Sequence, residues 1–531
     1  MSRRFQAIGQ ARGLASSYDA AVIGAGVGGL ICGNLLTRAG LRVLLIEQHT
    51  VVGGYCSTFT RKGFTFDAAS HFYPLLGNRA TITGRLLADL GIETEWVKMD
   101  PFDQFHLPGG STFAVPADYD TYIARLKGEF PDECEAIDGF FHHVRRLYLL
   151  GVLEYFEGVT TGRLEGDRSL SVRDALDRWF RSPRLKLLLT ADCPHWGAPP
   201  SRTSFVFDSM LRLSYFLGNY YPRGGSQSFA DELARRFEEQ GGHILLKSKV
   251  FRIVTRRGCA VGIEVETGPH RDRFRRVVTT NVVVSNADLR QTALKMVARD
   301  DIEPEYLERL RELRLSYPCF LIHMGAQGVS ANLLERIHGY HWRSWDAERV
   351  GTDAFRFKLF VPTLYEPGLA PPGRHVLIIH KVTEIDFDAI DDWACQKLAL
   401  EEEVMAYLQD LLTPSTRIVV RLSASAMTSK RFTLNDGGAM HGWEMLPDQL
   451  GSGRPDVCGP IRGMYLVGQW TRPGGGITPV IVSALRVARM IMGGRSGSRE
   501  SCLEAEHGPL DAGLPTAFVG SPHGAAGRAF R

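Results

Sequence analysis

Four glycines in six residues, Gly24-Ala25-Gly26-Val27-Gly28-Gly29, constrain this chain more than any other feature. They follow a short apolar run, Ala20-Ala21-Val22-Ile23, and open a stretch, Leu30-Ile31-Cys32-Gly33-Asn34-Leu35-Leu36, whose apolar positions recur at helical spacing. A second apolar run, Leu41-Arg42-Val43-Leu44-Leu45-Ile46, follows Gly40 and ends at Glu47. Strand, glycine turn, helix and strand within about 30 residues make a βαβ unit, and near-continuous Val, Ile and Leu mark its strands as buried and parallel. Gly24, Gly26 and Gly29 satisfy G-x-G-x-x-G, which lets backbone N–H groups approach a pyrophosphate at the helix N-terminus. Glu47 stands 18 residues past Gly29, where a carboxylate can accept both ribose hydroxyls of a dinucleotide. FAD and NAD share this unit.

Further strands read as more of the same sheet: His243-Ile244-Leu245-Leu246 with Val250 to Val254, Val282-Val283-Val284, and Met464-Tyr465-Leu466-Val467. Phe229 to Glu239 reads as a helix stopped at Gly241-Gly242, and a last helix follows Ile477. The expected fold class is α/β: a Rossmann-type dinucleotide domain assembled discontinuously from 18–75, 220–290 and 460–495, with an α+β substrate domain from 76–219 and 291–459. Both inserts are rich in aromatic and helical patterns, such as Tyr119 to Phe130 and Asp392 to Leu412. The ends, 1–17 and 496–531, read as flexible.

Composition bounds the function. A 531-residue chain with 44% hydrophobic residues can bury a large core. Its 62 basic against 59 acidic residues leave too small a surplus for nucleic acid to be the organising partner. Nine scattered cysteines without a C-x-x-C pair indicate neither a disulfide framework nor a thiolate metal site, and a reducing cytoplasm fits them. No metal is expected. Met1-Ser2-Arg3-Arg4-Phe5 glances at a twin-arginine signal, but the residues after it lack the apolar core such a signal needs, so it reads as a basic arm. The apolar runs are too short to span a bilayer.

Beyond Glu47 come Gly53-Gly54-Tyr55-Cys56-Ser57 and Gly63-Phe64-Thr65-Phe66-Asp67, and with them Tyr18 to Asp67 resembles the N-terminus of the FAD-dependent amine oxidase and phytoene desaturase superfamily. That resemblance favours FAD over NAD and implies that Gly53 and Gly54 lie along the cofactor. Tyr55 replaces the Arg usual after the second Gly-Gly, a departure closer to the carotenoid isomerase and polyene saturase branches than to amine oxidases. Tyr221-Pro222-Arg223-Gly224-Gly225 resembles the Tyr-Pro-Lys/Arg-Gly-Gly signature of carotenoid desaturases and isomerases. Val250 matches the position whose backbone holds the adenine, and Ser285-Asn286-Ala287 matches a strand-end motif of the same enzymes. Most specific is Gly468-Gln469-Trp470-Thr471-Arg472-Pro473-Gly474-Gly475-Gly476-Ile477, which looks like the closing flavin motif of phytoene desaturases. Three glycines opening a helix leave backbone N–H groups free to face flavin oxygens. Gly468, Gln469, Gly475, Gly476 and Ile477 are therefore expected at the cofactor, with Gln469 where many flavoproteins have Asp.

Catalytic residues are harder to name, because flavin supplies its own redox chemistry. His71, Tyr73 and Trp470 are the candidates for the cavity wall, with His441-Gly442-Trp443 beside the closing motif; each also suits a plain core or wall role. The aromatic run from Phe205 to Tyr221 suits either a tunnel for a long apolar substrate with a lip on the membrane, Arg212 and Arg223 facing the surface, or simply core. The resemblance implies an FAD-dependent oxidoreductase acting on a long conjugated polyene, a carotenoid or related isoprenoid, by desaturation, with cis–trans isomerisation or saturation by reduced FAD as the alternative. An amine oxidase and a non-catalytic FAD-binding scaffold are the rivals. The chain has one dinucleotide unit, so quinone or oxygen rather than a nicotinamide is the expected electron acceptor, and peripheral membrane contact is expected for so apolar a substrate.

Overall fold

The computed structural model describes residues 14–159, 161–268 and 273–494. Apart from residues 14–17, the expectation of flexible ends therefore falls outside the described residues. A five-stranded parallel sheet runs in the order Met464–Leu466, Val283–Ser285, Ala20–Ile23, Val43–Ile46, His243–Leu245. Every residue of its central pair of strands is buried, as continuous apolar runs require when helices cover both faces. Helix Val27–Arg38 lies against helix Ser226–Glu239: Asn34 Nδ2 donates to the Leu233 carbonyl at 2.9 Å, and Gly33 passes so close to Phe237 that a Cβ would stand 3.0 Å from its ring. The closing helix is Ile477–Gly493.

A three-stranded antiparallel sheet, Lys249–Arg256, Cys259–Thr267 and Phe274–Thr279, packs beside the parallel one. The rest of the molecule centres on a seven-stranded mixed sheet in the order Arg417–Ala424, Cys319–Gln327, Arg374–Val382, Phe355–Phe360, Gly339–Trp342, Asp103–His106, Thr112–Val115. This sheet exceeds the helical and aromatic character read for 291–459. Strand Cys319–Gln327 is buried on both faces over eight of its nine residues, so it lacks the polar alternation that marks a half-exposed strand.

The aromatic run forms helix Phe205–Phe216, largely interior. Arg212 does not face the surface: it is 7% exposed, ion-paired to Asp208 at 2.9 Å and donating to the Leu189 carbonyl. A guanidinium four residues past a carboxylate on one helix completes its own partner set and can be taken inside. Arg223 is exposed, 3.2 Å from Glu95. Among the described residues no helix is long and apolar enough to cross a membrane, and no cluster of metal-ligating side chains occurs.

Candidate cofactor and active site

The first glycine loop is shaped by what a side chain would strike. A Cβ on Gly29 would stand 2.1 Å from the Gly24 carbonyl oxygen, so only glycine lets the helix start this close to the strand. Helix Val27–Arg38 begins at Gly26 with no side chain capping its N-terminus, which leaves its first N–H groups for a ligand. The second turn lies on the first: Gly53 N donates to the Ala25 carbonyl at 2.8 Å, and Gly53 takes φ +112. Glu47, 8% exposed, accepts from Ala25 N at 2.8 Å through Oε2 and from His49 N at 2.9 Å through Oε1. The carboxylate expected at the ribose thus also holds the first glycine loop, and each oxygen keeps a further lone pair. Residues 247–248 run beside it, with Lys247 N on the His49 carbonyl and Ser248 N on the Glu47 carbonyl, which brings the 4% exposed Val250 to that edge.

The closing motif meets the first loop at Asn286. A Cβ on Gly26, Gly28 or Gly468 would stand 2.8, 2.6 or 2.5 Å from the Asn286 carboxamide, so one side chain fills the space among three glycines. Gly468 N donates to Ser483 Oγ at 2.9 Å, and helix Ile477–Gly493 starts at Gly476 without a side-chain cap. Gly475 is pressed on the His441 carbonyl oxygen, 2.5 Å from where its Cβ would be. Two uncapped helix starts and three glycine turns, packed too closely to admit side chains, form a cradle suited to a flavin dinucleotide. Gly24, Gly26, Gly53, Gly468, Gly475 and Gly476 would line it, with Ile477 N–H at its end. Gln469 and Tyr55 would flank it: the Gln469 carbonyl accepts from Arg454 at 3.0 Å, and the Tyr55 hydroxyl donates to the Ala439 carbonyl at 3.1 Å and accepts from Asn435 at 2.9 Å.

The three cavity candidates do not come together. Tyr73 is fully buried and its hydroxyl donates to Ser226 Oγ at 2.6 Å, inside a network where Asp67 accepts from Tyr221 and from Ser226 N. Burial pushes the Asp67 carboxyl up, and the network ties the 63–67 and 221–225 motifs to each other. Trp470, 3% exposed, packs edge-on against Trp443 at 4.8 Å and donates to Asn435, in a core separate from that of Phe72 and Tyr73. A bulky apolar ring in a glycine-rich segment finds its free energy in the core behind the loop rather than in the site.

His71 alone faces a reactive-looking cluster. Its ring lies 4.2 Å from His380, 5.5 Å from His195 and 5.3 Å from Phe360, and His195 in turn neighbours His441 at 5.8 Å. His71 Nδ1 donates to the Ala69 carbonyl at 3.3 Å, so Nε2 carries the lone pair, and that buried atom has no partner; neither has His380 Nε2. Burial, joined by the crowding of neighbouring imidazoles and by the Lys358 cation, holds His71, His195 and His380 well below the usual imidazole range, and burial brings His441 to about 4, so all four are neutral at pH 7. Beside them Lys358 Nζ sits 3.6 Å above the Phe72 ring, paired with Asp103 at 2.9 Å; burial lowers Lys358 to about 8 and raises Asp103 to about 6. Asn286, His195, His380, Lys358 and Asp103 come from five separate segments. Only the strand-end Ser-Asn-Ala offered a signal for any of them.

Residues 27–492 match the model of the flavin containing amine oxidoreductase family. Prolycopene isomerase 2 of an Oncidium hybrid cultivar is 28% identical over 511 residues, covering 90% of this chain and 84% of that protein. The neurosporene-forming phytoene desaturase of Rhodobacter capsulatus is 26% identical over 500 residues, 89% of this chain and 93% of that one. Among solved structures, an oxidoreductase from Methanosarcina mazei superposes with a TM-score of 0.60 at 18% identity, covering 88% of this chain and 99% of that chain, a likeness of fold.

Proposed function

The chain belongs to the flavin containing amine oxidoreductase family, with FAD as its cofactor, and on that premise we propose that it acts on a long conjugated polyene of the carotenoid or related isoprenoid class. The observation that carries this reading is the polarity of the cluster at His71: neutral histidines and aromatic walls, with the Lys358 cation facing Phe72. The cluster's cation is already paired with Asp103, so that carboxylate is not on offer to an ammonium substrate, whereas a polyene needs no counter-charge and gains from ring faces. Relatives named prolycopene isomerase and phytoene desaturase, each matched over most of its length, support the same class.

Bound FAD supplies or accepts a hydride; the protein's part is to orient and to exclude water. The glycine loops would hold the dinucleotide, Gly53 and Gly54 would lie along it, and Val250 would meet the adenine by its backbone. His71, with its unpartnered Nε2, would stand at the cavity wall, and Tyr73 and Trp470 would brace the loops behind it. The segments 18–75, 220–290 and 460–495 would carry the cofactor, and 76–219 with 291–459 the substrate. Desaturation, with electrons passed to a quinone or oxygen, is our first reading; the isomerase relatives favour as second a bond rotation with no net acceptor. We further infer peripheral contact with a membrane, where such a substrate resides.

Expression in a polyene-producing host, with extraction and chromatography of the pigments, tests the class. No change in polyene composition beside turnover of a soluble amine would overturn it. Anaerobic assays with purified protein then divide the chemistries: turnover that requires a quinone fits desaturation, and turnover only after dithionite reduction, without acceptor, fits isomerisation.

A further inference from the structure

Arg454 is 0% exposed and among the described residues makes no ion pair. Its Nη2 donates to the Trp443 carbonyl at 3.2 Å and the Gln469 carbonyl at 3.0 Å, Nη1 meets Met445 Sδ at 3.4 Å, and Nε–H has no acceptor. The acids near it in sequence are engaged elsewhere: Asp456 with Arg472 at 2.6 Å, Glu444 with Arg202 at 2.7 Å. The guanidinium lies under the closing glycine loop, 3.6 Å from where a Cβ on Gly474 would be. Burying a cation without a counter-ion is costly, and a fold that keeps one gains if a ligand completes the charge.

Two further features carry the same sign. Helix Ile477–Gly493 points its positive end at this loop with no acidic residue in its first turn. Gln469, next in the chain to Gly468, is neutral where an acid would have cancelled the field.

We propose that Arg454 sets the potential of the flavin, its buried guanidinium supplying from beneath Gly474–Gly476 the positive charge that favours the anionic reduced cofactor. This rests on the FAD reading of the loop. Two electrons and one proton convert oxidised flavin to a reduced form bearing one negative charge; a second proton would neutralise it. A fixed cation beside the cofactor makes the one-proton product the stable one near neutral pH.

The test uses the purified holoprotein, titrated anaerobically with dithionite beside a dye of known potential from pH 6 to 8. In the wild type the midpoint potential should fall with pH along a one-proton slope. Arg454→Met, of similar length and uncharged, should bind reduced relative to oxidised FAD at least tenfold less well, about 30 mV lower for the two-electron couple, and should steepen toward two protons. Arg454→Lys should retain most of the wild-type potential. A brace that only holds two carbonyls would leave the potential where it was. The inference is overturned by an unchanged potential in a flavin-loaded Arg454→Met protein, or, should that variant not fold, by a two-proton slope in the wild type. If the wild-type chain neither contains nor takes up flavin, the cofactor reading itself falls, which is a different result.

Discussion

Gly26 and Gly29 sit three residues apart and fail differently when substituted. Gly26 has an ordinary φ of −69, so valine there is unstrained, but its side chain would displace Asn286 and fill the approach of a pyrophosphate. Gly26→Val should therefore fold near wild-type stability and purify without yellow colour, read by absorbance and by thermal unfolding. Gly29→Ala drives a Cβ into the backbone oxygen of Gly24, which cannot swing aside, and should cost about 3 kcal/mol in urea unfolding. Histidine 380 offers a pH test. Its folded pKa lies well below 6.5, chiefly from burial, so as pH falls through 6.5 the unfolded chain takes up a proton that the folded one refuses, and stability is lost. His380→Phe removes that proton, so its stability relative to wild type should improve by about 1 kcal/mol between pH 6.5 and 5.5. A difference that does not change with pH would mean that His380 takes up its proton as readily in the fold as in the unfolded chain.

Between elements, the pair Lys358–Asp103 spans the seven-stranded sheet: Asp103 stands on Asp103–His106, Lys358 on Phe355–Phe360, and the strand between them adds the Tyr340 hydroxyl at 3.2 Å from Nζ. Both side chains are under 5% exposed. Removing one partner strands the other charge, so Asp103→Asn should lose about 3–5 kcal/mol, while Asp103→Leu with Lys358→Met should recover most of it. Urea unfolding of the single and double variants checks the cycle. This pair was invisible in the sequence because Asp103 and Lys358 are 255 positions apart and neither belongs to a periodic motif. The glycine loops were legible for the opposite reason. Each is a local device, needing only its own backbone and the strand before it, so Gly24 to Gly29 and Gly468 to Gly476 announce themselves within ten residues. Trp470 shows the limit of such reading: a site motif placed it near the cofactor, and packing against Trp443 took its ring into the core.

At the scale of the molecule, the one G-x-G-x-x-G unit, at Gly24 to Gly29, would serve FAD, so no separate seat for NADPH is expected. Anaerobic stopped-flow mixing should show no rapid stoichiometric bleaching of the flavin by NADPH alone; such bleaching would contradict the single-cradle arrangement. The membrane reading is checked by flotation with vesicles containing polyene, where the folded protein should rise with the lipid at low salt. The parallel sheet has one further consequence. Its edge strand Met464–Leu466 is laid beside Val283–Ser285, which lies beside Ala20–Ile23, and Gly468 closes against Asn286 and Gly28. On the ribosome, Ala20–Ile23 can pair early with Val43–Ile46 on one side, but its other neighbour, Val283–Ser285, is more than two hundred residues downstream, and the strand that flanks Val283–Ser285 in turn, Met464–Leu466, comes later still. The nascent chain thus cannot complete its parallel sheet, or the glycine cradle proposed for FAD, until translation is almost finished, and products released early, even those that retain the whole seven-stranded sheet, should be clients of proteolysis rather than apoproteins awaiting FAD.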